Sequence, residues 1–207
     1  MASGLVCRTM TCVGMMVAAL NAGGCAFGDR HVPIDYQPVM KIKAKAPADV
    51  DILPFQSARG LSDERQIGQV RNTYMMVTAK VFCENGDAME WVHRALAAEL
   101  ASAGFRTGGP ASSQPTPLAV TIAGTVHEFL TDVGYNGFHT RLLVRFVVTK
   151  NGATKLEKDY LVDDGGSGLT GSADEYQAIT IKAIEKLMRR AVPDIIAAIE
   201  GGPTTRP

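Results

Sequence analysis

The dipeptide Asn151-Gly152, set between two alternating runs, constrains the fold of this chain more than any other feature of it. A type I′ hairpin turn needs positive φ at both central residues, and Asn followed by Gly tolerates that best. Upstream, Thr140–Thr149 alternates Leu142, Val144, Phe146 and Val148 against Arg141, Leu143, Arg145 and Val147. Such a period of two marks a half-buried strand. Downstream, Leu156–Val162 returns antiparallel. An earlier run, Leu118, Val120, Ile122 and Val126 against Ala119, Thr121, Ala123 and Thr125, has the same pattern. The chain therefore folds around an antiparallel sheet with one apolar face.

Helical periodicity supplies what covers that face. Asp87 and Glu90 have capping-box spacing, with a side-chain acceptor at the N-cap and a carboxylate three residues on. Val92, Ala95, Leu96, Leu100 and Ala103 then recur on one face, and Gly104 stands where a left-handed C-cap is needed. Phe105-Arg106-Thr107 starts another strand, and Gly108–Pro117 reads as a loop. Ser172 and Glu175 repeat the capping pattern ahead of the stripe Tyr176, Ile179, Ala183, Leu187 and Ala191. Pro193 removes a helical donor and is expected to kink or restart that helix before Ile195–Ile199. Before the first helix, Val50–Phe55 is expected as a short strand, placed at a sheet edge by Pro54. Ile67, Val70 and Tyr74-Met75-Met76-Val77 mark two extended pieces flanking a loop. These elements predict an α+β domain: a mostly antiparallel sheet of about five strands with two long helices packed on it as a two-layer sandwich.

The N-terminus speaks to address. Arg8 is the only charge in the first 28 residues, and Met10–Leu20 is apolar. A basic start, a short apolar segment and small residues describe a secretory signal peptide. A transmembrane helix needs about 20 apolar residues, and this segment is far shorter. Ala22-Gly23-Gly24 leads into Cys25, and this resembles the lipobox of bacterial lipoproteins, in which the cysteine is diacylated before cleavage. Ala22 stands where the lipobox usually carries Leu, so a plain cleaved signal is the rival reading. Ala26, in place of the Asp that retains lipoproteins at the inner membrane, implies the outer membrane. The resulting division is a lipoprotein signal peptide over 1–24, a Pro-rich tether over 25–48, an α+β domain over 49–200 and a disordered tail over 201–207. A Pro-rich spacer of about 20 residues would hold the domain up to ~60 Å from a membrane.

Composition excludes several function classes. The 21 basic and 21 acidic residues leave no electrostatic footprint for nucleic acid. Cys7 and Cys12 lie in the expected leader, so Cys25 and Cys83 alone remain, which rules out a disulfide framework. If Cys25 is acylated, Cys83 is an unpaired thiol, best read as a small buried apolar residue. A Cys25–Cys83 bridge would require that lipidation fail.

No catalytic set emerges. Gly166–Gly171 matches G-x-G-x-x-G between a strand and a helix, but no parallel strand with a ribose-binding acid follows. It reads as a flexible turn, with no nucleotide and no other cofactor. His93, His127 and His139 fall on separate elements without ligand spacing, so no metal site is expected. An enzyme would require His127, His139, Asp163 or Cys83 to converge. The candidate partner surface is Tyr74, Met75, Met76 and Val77, because methionine is over-used on adaptable binding surfaces; the alternative is a strand partly in the core.

The lipobox-like start, the Pro-rich segment, the Ile52–Phe55 strand, Ile67-Gly68-Gln69-Val70-Arg71-Asn72 and the helix from Trp91 to Phe105 together resemble the YajG-type bacterial lipoproteins. The resemblance covers about Asp51 to Ile199. It implies an envelope address and an α+β fold and supplies no catalytic residues. The expected function is that of an outer-membrane-anchored periplasmic lipoprotein, not an enzyme. It would be attached through a lipid on Cys25 and would bind or scaffold an envelope protein. A periplasmic carrier of a small apolar or lipid-like ligand is the alternative, and an exported enzyme the third.

Overall fold

A computed structural model describes residues 28–107, 120–167 and 172–202 of the chain. At the expected hairpin, Asn151 and Gly152 take φ of 55° and 73°. They join strands far longer than the alternating runs alone imply. Three strands form an antiparallel meander: β7 (Val120–Gly134), β8 (Gly137–Lys150) and β9 (Ala153–Gly166). Tyr135 and Asn136 turn the chain between the first two. A register shift at His127 bulges β7. Before it Val120, Ile122 and Val126 are buried, and after it Phe129, Thr131 and Val133 are. The extra residue changes parity, so the strand keeps one face to the core along its length.

The free edge of β7 is lined by parallel strands set end to end. These are β2 (Asp49–Ile52), β3 (Gln56–Ser57) and β4 (Gln66–Arg71). Beyond β2 lies β6 (Arg106–Thr107), also parallel. Beyond β4 lies β5 (Val77–Cys83), antiparallel to it, and then β1 (Arg30–Val32), parallel to β5. Among the described residues the sheet is thus mixed and has nine strands, which overturns the expected mostly antiparallel sheet of about five. Among these strands only the meander and the β4–β5 hairpin are antiparallel. A 15-residue strand spans about 50 Å at 3.3 Å per residue, room enough for three short strands along one edge. Pro54 lies just past the end of β2, which sits between β6 and β7 rather than at an edge.

Two helices cover one face. In α1 (Ala88–Ala103) the Glu90 N–H donates to Asp87 Oδ1 at 2.8 Å, and Gly104 closes it at φ 105°. In α2 (Ala173–Glu200) Ser172 and Glu175 make both bonds of the capping box, and Gly201 closes it at φ 76°. Pro193 does not restart the helix: α2 runs from Ala173 to Glu200 through it, losing only the bond that a proline cannot donate to the Arg189 carbonyl. Both predicted apolar stripes are buried, with Leu96, Leu100, Leu187 and Ala191 fully enclosed. Gly68 explains how closely α2 approaches β4: an added Cβ would lie 2.7 Å from the Thr131 carbonyl oxygen and 3.0 Å from the Tyr176 ring.

The signal-peptide segment 1–24 and Cys25 lie outside the described residues, as do 168–171 of the glycine loop and 203–207 of the tail. Residues 28–48 of the segment expected to space the domain from its anchor pack on the domain instead. Val32 and Ile34 enter the core. Glu99 of α1, only 1% exposed, accepts from the Tyr36 hydroxyl at 2.6 Å and from the Val39 and Met40 N–H groups at 2.8 and 3.1 Å. The Ala44 N–H then donates to the Ala103 carbonyl at 2.8 Å. The segment is a strap laid along α1 from its N-terminal to its C-terminal end.

Candidate functional site

The β4–β5 and β7–β8 hairpins end side by side. Gly68 pairs with Thr131 and Val70 with Val133, so the tip after Arg71 stands level with the tip after Gly134. Tyr74 is 81% exposed, Met75 66%, Met76 59%, Val77 44% and Tyr135 of the neighbouring tip 82%. Tyr74–Met76 form the turn itself and Val77 opens β5, so the reading of this segment as a strand partly in the core does not hold. Single exposed apolar residues are ordinary; five on two adjacent tips form a patch of the kind that marks interaction sites. Between the tips lies a cavity of about 360 Å³ lined by Arg71, Asn72, Met75, Asp132, Tyr135 and Phe138.

The backbone beneath these side chains is fixed. Asn72 Oδ1 accepts from the Tyr74 and Met76 N–H groups at 2.9 and 3.0 Å. The Asn72 N–H donates to the Met76 carbonyl at 3.0 Å, and the Met75 N–H to the Asn72 carbonyl at 2.9 Å. This network holds Met75 at φ 63°, a left-handed conformation uncommon away from Gly, Asn and Asp. Arg71 donates to the Met75 carbonyl at 3.0 Å and lies 3.6 Å from Asp132 of β7, tying one hairpin to the other. Below, the Tyr176 hydroxyl of α2 donates to the Gln69 carbonyl at 2.8 Å. Burial raises the pKa of this phenol, which stays neutral. The site is an exposed apolar surface on a preformed turn, with the form of a contact surface.

The candidate catalytic groups are only partly brought together. His139 Nε2 lies 2.7 Å from Asp163 Oδ1 on the solvent face of the sheet, with Arg141 3.8 Å from the same carboxylate. His127 occupies the β7 bulge. Cys83 ends β5, at the opposite end of that strand from the tip, and is buried, which pushes its thiol pKa up. His93 Nε2 lies 3.2 Å from the Ile52 carbonyl and its ring meets Phe55 edge-on. Among the described residues no group of three or more His, Cys, Asp or Glu is placed to hold a metal ion. Nor is any described helix long and apolar enough to cross a membrane.

Tyr135 was not visible as a site residue from periodicity. The signal that marks it is Asn136-Gly137, a second Asn-Gly pair ahead of a strand, with Gly137 at φ 126°.

No family model matches the chain, and no curated protein does. Solved structures do resemble it in fold. A Xanthomonas campestris protein described under family DUF330 superposes with a TM-score of 0.58 at 12% identity, covering 83% of this chain and 96% of that one. An uncharacterized protein superposes at 0.52 with 10% identity, covering 81% and 99%. A lipoprotein of Neisseria meningitidis reaches 0.38 at 13% identity, covering 68% and 99%, a likeness too slight to carry an argument. The first two show a shared fold and nothing about activity.

Proposed function

We propose that this chain is a non-catalytic lipoprotein of the bacterial outer membrane, held at the periplasmic face by a lipid on Cys25, that binds or scaffolds an envelope component through its hairpin tips. The observation that carries the reading is the exposure of Tyr74, Met75, Met76 and Val77 on a turn fixed by Asn72 and Arg71, beside the exposed Tyr135 of the adjacent tip. Aromatic side chains give large contact area at little entropic cost, and methionine adapts to irregular surfaces. The sequence supports the address: an apolar leader, Ala22-Gly23-Gly24 before Cys25, and the YajG-like segments Ile67–Asn72 and Trp91–Phe105.

A photoreactive amino acid at position 74, introduced in cells, tests this reading, with position 157 on the solvent face as control. Adducts to one envelope component from position 74 and none from position 157 are expected. Adducts from neither would refute the surface assignment. A separate variant, Cys25→Ala, is expected to leave the domain folded but free of the membrane; a wild-type chain lacking acyl mass at Cys25 would refute the anchor. The cavity of about 360 Å³ beside Met75 and Tyr135 favours a second reading, a carrier of a small apolar ligand, since its volume falls in the range of small-molecule sites. That reading requires extractable lipid to copurify and to be lost in Tyr135→Ala.

A further inference from the structure

The described chain begins at the same end of the molecule as the apolar tips. β1 runs parallel to β5 with Arg30 opposite Val81, and Asp29 Oδ1 accepts the Lys80 N–H at 2.8 Å. β5 opens at Val77, on the tip side of that register. Followed backward from Arg30, β1 therefore points toward Tyr74–Val77. Cys25 stands five residues before Arg30, a span of at most about 17 Å. From Val81 back to Val77 is about 13 Å along β5, so that reach includes the tips. It does not include the opposite end of the sheet. Arg30 is level with Thr131 through Val81 and Gly68. The Asn151-Gly152 turn lies past Val120, about 36 Å further along β7.

The geometry points to the lipid bilayer as the occupant of the tip surface: Tyr74, Met75, Met76, Val77 and Tyr135 lie in the membrane interface beside the acyl chain on Cys25, and the sheet stands over them. This rests on the anchoring reading proposed above and names the component that the surface meets. An anchor within about 17 Å of Arg30 brings that end of the domain to the bilayer, and the side chains exposed there suit it. Tyrosine is enriched at membrane interfaces, where its ring enters the apolar layer and its hydroxyl stays hydrated. Methionine packs against disordered chains without a fixed shape. The charges between the tips, Arg71 and Asp132, face one another at 3.6 Å. The contact is therefore apolar rather than electrostatic, and raised salt leaves it in place. A short anchor and an apolar tip act together as two membrane signals.

The test uses the full chain purified from membranes and reconstituted in phosphatidylethanolamine–phosphatidylglycerol vesicles carrying a nitroxide lipid quencher. Tyr74→Cys, Tyr135→Cys and Asn151→Cys are each labelled with a fluorophore; Cys83 is buried and does not compete. Labels at 74 and 135 are expected to be on the order of twofold or more dimmer than in quencher-free vesicles, and the label at 151 unchanged. Acylated, vesicle-bound protein whose labels at 74 and 135 behave like that at 151 would overturn the proposal while leaving the anchor intact. In cells, adducts from the photoreactive residue at position 74 to a protein rather than to lipid would assign the surface to a protein partner, which overturns the proposal equally. A chain without acyl mass at Cys25 would refute the anchoring reading and this proposal with it.

Discussion

Removing the Glu99 carboxylate should release the strap that carries the N-terminal segment along α1. Glu99 is buried and accepts three hydrogen bonds, from the Tyr36 hydroxyl and from the Val39 and Met40 amides. Bonds to a charged acceptor contribute about 1.5–3 kcal/mol each. Val39 and Met40 are half-buried, so water partly replaces the lost acceptor at their amides. Glu99→Ala is therefore expected to destabilise the domain by about 3–5 kcal/mol, less than the sum of three bonds and more than a surface change. Glu99→Gln keeps one carbonyl acceptor and should cost about 1–2 kcal/mol, and Tyr36→Phe, which removes one of the three bonds, about 1.5–3 kcal/mol. Urea unfolding gives the stabilities, and hydrogen exchange at Val39 and Met40 reports the strap itself. If the strap detaches without unfolding the core, exchange accelerates at those two amides while the global midpoint moves less. A Glu99→Ala protein within about 0.5 kcal/mol of wild type, with exchange at both amides unchanged, would refute the reasoning.

Cys83 should resist maleimide in the folded protein and react fully once unfolded, since burial both excludes the reagent and pushes the thiol pKa up; mass spectrometry reads the adduct. Gly137→Ala should destabilise by more than about 2 kcal/mol, because Gly137 sits at φ 126° with the Gly166 carbonyl where a Cβ would go. Gly152→Ala, at φ 73° and facing open space, should cost only about 1 kcal/mol in the same unfolding assay. Hydrogen bonds from Arg106, Arg145 and Lys186 hold Asp49, Asp159 and Asp164 below the usual carboxylate range. The unfolded chain takes up those protons first as pH falls, so stability is full above about pH 5 and declines below about pH 4. Asp164→Asn should flatten that decline, as followed by the urea midpoint against pH. Burial raises the pKa of Tyr36, Tyr160 and Tyr176. Stability should therefore also fall above about pH 10, where the unfolded phenols ionise and the folded ones do not; the alkaline arm of the same titration checks it.

Local chemistry determined the parts of this fold that short stretches of chain decide alone. Asp87, Gly104, Ser172, Glu175 and Gly201 bound the helices because caps satisfy backbone groups within a few residues of themselves. The stripes of α1 and α2 and the alternation of β8 are buried as their periods require, and Asn151-Gly152 turns as its backbone freedom allows. What the tertiary structure alone decided are the pairings between distant segments. The parallel contacts of β2, β3 and β4 with β7 join residues 63–70 positions apart and depend on backbone groups that every residue carries equally, so no pattern of side chains announces them. The strap shows the same limit. Residues 33–48 have no periodicity and several prolines, yet a buried carboxylate on α1, invisible as an acceptor until the helix is placed, sets their course together with the bonds of Ile34 to Asn85 and Ala44 to Ala103. The site divides in the same way. Tyr74–Val77 was legible as a candidate from its composition, but its exposure, its approach to Tyr135 and its place at the end where the chain leads back to Cys25 follow from strand register, which is settled only when the sheet is assembled.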